Sequence, residues 1–215
     1  MRVDADKALD AALLLYIVKG AAPIYGRTKL QKTTFLVELR LKESDRVGPH
    51  FRFIRYVNGP FSGQLWNLFD QLAEAGFVSR TTFELTDRGR FLIDLVMPEL
   101  HRHPRNRAAL KIMDDVIAWC RPRHGAGLIK FVYQLEVVPD EMPGERMKVE
   151  DVPFGSEIIH PPPGGLELAP DVQLLLKEEL ELTGEDLKRA ERHLPEIERR
   201  AIRNLSEALN ADPRA

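Results

Sequence analysis

Few residues in this chain have the type and spacing that chemistry requires. Cys120 is the only cysteine among 215 residues, so it has no partner for an intramolecular disulfide. Its Ala-Trp-Cys-Arg-Pro surroundings hold no base that would make the thiol a nucleophile, and it reads as buried and inert. His101 and His103 invite a metal reading, but Arg102, Arg105 and Arg107 crowd them with positive charge that opposes a cation; a solvated basic loop after Pro98 is the simpler expectation. Asp114 and Asp115 are adjacent on a predicted helix, project in different directions, and make a poor acid and base pair. The chain holds no GxxxxGK[ST] phosphate loop, no GxGxxG, HExxH or GxSxG, and no paired-cysteine zinc knuckle. The expectation is a protein without catalysis, metal or cofactor.

Binding chemistry is better represented. Residues 1–135 carry 21 Lys+Arg against 14 Asp+Glu, whereas residues 136–215 carry 10 against 19. A basic front either meets an anionic partner or docks on the acidic back. The cations of the front gather at Arg27, Lys29 and Lys32, with Gln31 between them, and at Arg52 and Arg55. Gln64 and Asn67 follow on a predicted helix and are competent base readers, although Asp70 and Glu74 on the same face have the wrong sign for phosphate. Arg80 is the one cation of a short hairpin behind that helix.

The elements that would position these residues are mostly helical. Residues 8–18 are apolar nearly all round and predict a central, buried helix that Gly20 and Pro23 end. A second helix runs from Thr28 to about Lys42, and strand formers from Phe51 to Val57 stop at Asn58-Gly59-Pro60. Ser62 stands at the N-cap of a third helix that Gly76 closes; Thr86 caps a fourth that lasts until Pro98. Residues 108–119 and 128–135 read as two more. The hairpin strands are residues 77–79 and 83–85. This order is that of a winged-helix-like domain, with an extra strand between the second and third helices.

Seven prolines from Pro139 to Pro170, with Gly164-Gly165, predict an extended connector rather than a packed unit. The expected organisation is therefore a winged-helix-like domain over 1–135, a proline-rich connector over 136–170 and an acidic helical appendage over 171–215. The fold class is mainly α with a small β hairpin. In the appendage Leu187, Leu194, Ile197 and Leu205 form one apolar seam, suited to association with a second copy as a homodimer or to docking back on the front. No run approaches the roughly 18 apolar residues of a membrane helix. The acidic N-terminus does not resemble a signal peptide, so a cytoplasmic location is expected.

Three segments together resemble the Panacea antitoxin domain and the related YwgA-like proteins over roughly residues 5–135. They are Gly26-Arg27-Thr28-Lys29-Leu30-Gln31-Lys32, the strand into Tyr56-Val57-Asn58-Gly59-Pro60-Phe61-Ser62, and Phe83-Glu84-Leu85-Thr86-Asp87-Arg88-Gly89. The resemblance implies a small winged-helix-like protein of toxin–antitoxin, phage-defence or regulatory settings that binds DNA or neutralises a partner protein such as a toxin, without catalysis. Gly59, Pro60 and Ser62 also have a plain reading as a turn and a helix cap. The leading expectation is a DNA-binding regulator acting through the basic front; the alternative is an antitoxin-like adaptor for a protein partner.

Overall fold

The computed structural model describes residues 4–180. Helix α1 (Asp4–Ala21) is surrounded on all sides, with Ala8, Ala11, Leu13, Leu14, Ile17 and Val18 sealed from solvent. It ends in close packing: a side chain at Gly20 would meet Ile117 at 2.6 Å. Helix α2 (Arg27–Glu43) lies beside it and is buried along almost its whole length, polar residues included. Strands β1 (Phe53–Tyr56) and β2 (Gly59–Phe61) pair antiparallel around Val57 and Asn58, so Asn58-Gly59-Pro60 turns the chain into a second strand instead of ending the first. Gly59, at φ +83°, is where that turn needs a residue without Cβ strain.

Helix α3 (Gly63–Glu74) starts at Ser62, whose hydroxyl accepts from the Leu65 N–H, and helix α4 (Asp87–Arg102) starts at Thr86, which does the same for Gly89. Thr86 also donates to the Gly76 carbonyl, 2.6 Å away. The expected hairpin between these helices is reduced to one bridge, Val78 to Leu85. Gly89 is required by space: a Cβ there would lie 2.1 Å from the Phe77 carbonyl oxygen. Helix α4 passes through Pro98, which sits on the exposed side where water can meet the carbonyl left without a donor one turn back.

Helices α5 (Arg107–Cys120) and α6 (Gly125–Tyr133) pack on α2, and α5 also packs on α1. A two-stranded ladder follows, β3 (Glu136–Val137) with β4 (Met147–Lys148). Strand β5 (Glu157–Ile159) then joins the free edge of β1, giving the sheet order β2-β1-β5. Helix α7 (Pro170–Leu180) packs on α1 and α4. The fold is mainly α-helical with this small sheet, and no described helix is long and apolar enough to cross a membrane.

The proline-rich stretch is not a connector. Its prolines do deny it helix, but Val149, Val152, Ile158, Ile159, Leu166 and Leu168 stand between them and are buried in the same core as α1 and α2. Asn106 clasps it from the front: its side-chain nitrogen donates to the Glu167 carbonyl at 2.6 Å, and its oxygen accepts the Glu167 N–H at 2.9 Å. A boundary at residue 135 would therefore cut through a continuous core. The seam Leu187, Leu194, Ile197 and Leu205 lies outside the described residues.

Truncation tests this directly. A chain ending at residue 135 strips β5 from β1 and α7 from α1, and urea unfolding followed by circular dichroism should show no cooperative transition, whereas a chain ending at residue 180 keeps one. Proteolysis of the full chain should spare residues 147–168.

Candidate nucleic-acid interface

Most of the cations expected to face an anionic partner are inside the protein. Lys29, Gln31, Lys32 and Arg55 are each no more than 5 % exposed. The Lys32 ammonium donates to the Pro60 carbonyl at 2.7 Å. Gln31 holds the next link of the same turn at both ends, donating to the Ser62 carbonyl and accepting the Ser62 N–H, each at 2.9 Å. Gln31–Lys32 and Pro60–Ser62 are thus halves of one buried joint, and Gly59, Pro60 and Ser62 serve as its turn and cap. Burial, and secondarily the neighbouring Arg55 guanidinium, pushes the Lys32 ammonium down to about 7. Arg55 itself donates to the carbonyls of Tyr56 and Glu150 and lies over the rings of Tyr133 and Phe154.

The remaining expected contacts are also engaged. Arg52 pairs with Glu157 at 3.0 Å, and its backbone N–H donates to the Gln64 side chain. Arg80 turns onto Asp70 at 3.3 Å and Glu74 at 3.1 Å, so the hairpin cation neutralises α3 rather than reaching outward. Asn67 is half-buried on α3. A helix whose solvent side carries Asp70 and Glu74 is a poor guest for a groove lined by phosphates.

Arg27 alone of the α2 cluster stays at the surface. Its guanidinium carbon lies over Trp66, 3.3 Å from the ring centre, and Trp66 is stacked in turn on Phe69. It belongs to a patch built from two loops, residues 22–26 between α1 and α2 and residues 121–124 between α5 and α6. Lys29 ties the loops together, donating to the carbonyls of Pro23 at 2.8 Å and Arg121 at 2.7 Å. Desolvation is the main cause that lowers its pKa. Arg121 closes the same contact from the other side, its Nε donating to the Ala22 carbonyl. Arg123 lies over Trp119, 3.6 Å from the ring centre, and Tyr25 stands 68 % exposed beside the His124 ring.

Two features make this patch electropositive. Several surface arginines lie against a carboxylate, as Arg40 does with Glu43, Arg90 with Asp87 and Arg105 with Glu167. No carboxylate among the described residues pairs with Arg27, Arg121 or Arg123. In addition α2 and α6 both begin here, neither with a side-chain cap nor with an acid in its first turn, so both present their positive ends. The spaces beside Gly26 and Gly127 are open.

Tyr25, Arg121, Arg123 and His124 were not among the residues expected from sequence to bind. A signal existed in Arg-Pro-Arg-His-Gly-Ala-Gly at 121–127, a basic run into glycines at a helix start, matching Tyr-Gly-Arg at 25–27. Cys120 is buried with its thiol pushed up to about 11 by desolvation, Asp114 accepts from the Tyr16 hydroxyl, and Asp115 pairs with Lys111. Comparison with protein families, curated proteins and solved structures returns no match.

Two measurements check the buried joint. Gln31→Leu leaves the Ser62 N–H unmet inside the protein and its carbonyl with only the long bond from the Trp66 N–H, and should cost about 1–3 kcal/mol of unfolding free energy, read by urea denaturation. Lys32 binds its proton more weakly folded than unfolded, so stability should rise from pH 7 towards pH 9, and the full penalty should be present below pH 7. Lys32→Met should remove most of that rise.

Proposed function

We propose that this chain is a non-catalytic regulatory protein that binds nucleic acid, and that it does so over the loops at residues 22–27 and 121–125 rather than through α3. The observation that carries the reading is the group of three guanidiniums, Arg27, Arg121 and Arg123, without carboxylate partners among the described residues and beside two uncapped helix starts. Phosphate is the anion such an arrangement suits, because helix N–H groups and planar guanidiniums both match its oxygens. The toxin–antitoxin, phage-defence or regulatory setting implied by the resemblance to the Panacea and YwgA-like proteins accords with a binding protein of this kind.

A second reading, an antitoxin-like adaptor that holds a protein partner, is favoured by one observation. A groove of about 390 Å³ runs between α2, α5 and α6, with Leu36, Ile112, Val116, Trp119 and Phe131 along it. Apolar association of that sort is little affected by salt, whereas phosphate binding is strongly affected.

The test is a salt titration of binding to labelled DNA by fluorescence anisotropy. Each phosphate contact contributes about 0.7 to 0.9 to the slope of log affinity against log salt, so the combined Arg27→Ala, Arg121→Ala and Arg123→Ala substitutions should lower that slope by about 2. Arg27 and Arg121 are exposed and Arg123 is half-buried, so the three are also replaced one at a time and the slope is compared among variants that keep the parent's unfolding midpoint. Binding that ignores both salt and these substitutions would shift support to the protein-partner reading.

A further inference from the structure

We infer that the nucleic acid this patch takes is single-stranded, its bases stacking on the rings and guanidinium planes of the two loops. The inference rests on the nucleic-acid reading above and narrows it. Arg27 is supported by Trp66, and Trp66 by Phe69 at 5.9 Å and 18°, so an exposed arginine carries its planar guanidinium over a stack of rings. Arg123 is a second plate, backed by Trp119, which is itself against Phe131 at 4.5 Å. Tyr25, on the first loop, is 68 % exposed and stands 6.1 Å from the His124 ring of the second.

A plate of this kind recognises the face of a base. In a duplex those faces are covered by neighbouring base pairs, and proteins reach only groove edges and phosphates; in an unpaired strand each base presents a face that aromatic rings and guanidiniums can stack on. Immobilised guanidiniums also lose less freedom on binding than free ones, which suits repeated weak stacking.

The devices for reading a duplex are correspondingly poor here. A winged-helix protein inserts its third helix in the major groove and touches the backbone with its hairpin. Here α3 shows Asp70 and Glu74, the hairpin is a single bridge, and Arg80 is folded back on those two acids. Three guanidiniums and two helix starts span only a few phosphates. That is enough for a short strand whose remaining affinity comes from stacking.

The experiment uses the full chain and a labelled mixed-sequence DNA strand of about 12 nucleotides, alone and annealed to its complement. The single strand should bind at least 10-fold more tightly than the duplex at equal salt, with a salt slope of about 2. Tyr25→Ala should weaken single-strand binding about 10-fold with little effect on the duplex, and Tyr25→Phe, which keeps the ring, should restore it. At 68 % exposure Tyr25 can be replaced without disturbing the core, and an unchanged unfolding midpoint confirms this for each variant. Equal or tighter duplex binding, or single-strand binding indifferent to Tyr25→Ala, would overturn the single-strand inference and leave the nucleic-acid reading standing. Failure to bind either form would overturn both.

Discussion

The fold depends on one buried polar joint, the hold of Gln31 and Lys32 on the turn from Pro60 to Ser62. Helix α2 runs through the middle of the protein, and a helix so enclosed would ordinarily be apolar. Its polar residues are retained because the segments packed around it have backbone groups that no ladder satisfies, and a buried N–H or C=O without a partner is costly. The same solution recurs along the approach to β1, where three successive backbone N–H groups are met by side chains from three helices: His50 by Asp10, Phe51 by Glu38 and Arg52 by Gln64. Asn106 does it again for Glu167. Carboxylates and carboxamides on helices thus take the part that a wider sheet would play.

This explains which parts of the structure were legible in the sequence. Caps and apolar faces are local signals, and α1, the start of α3 at Ser62 and the start of α4 at Thr86 follow from them. A lysine or glutamine on a helix looks the same in sequence whether its partner is water or a carbonyl 28 or 31 residues away, as for Lys32 and Gln31. The basic face read from α2 was therefore an interior. The proline-rich stretch misled for a related reason: prolines at 139–170 report only what the chain cannot form, whereas the valines, isoleucines and leucines between them decide where it packs. The loop patch was only half visible, since Arg27 gains its meaning from a helix start almost a hundred residues further on.

Burial of the α2 cations and exposure of the loop cations are connected. Lys29 spends its charge on the carbonyls of Pro23 and Arg121, and in doing so fixes the two loops side by side. The first turns of α2 and α6 are brought to the same surface by that tie. A residue chosen from sequence as a phosphate contact becomes instead the strut that positions the contacts, and the electropositive ground shifts from the face of α2 to its end.

The most direct test of where the ligand sits is a two-dimensional amide NMR titration of the isotope-labelled full chain with a short DNA strand. The account predicts that the largest shifts fall on the amides of Tyr25 to Thr28 and Arg121 to Gly127, including those at the starts of α2 and α6, while Asn67 to Glu74 on α3 stay in place. Shifts concentrated on α3 and on residues 78–85, with the two loops unmoved, would contradict it.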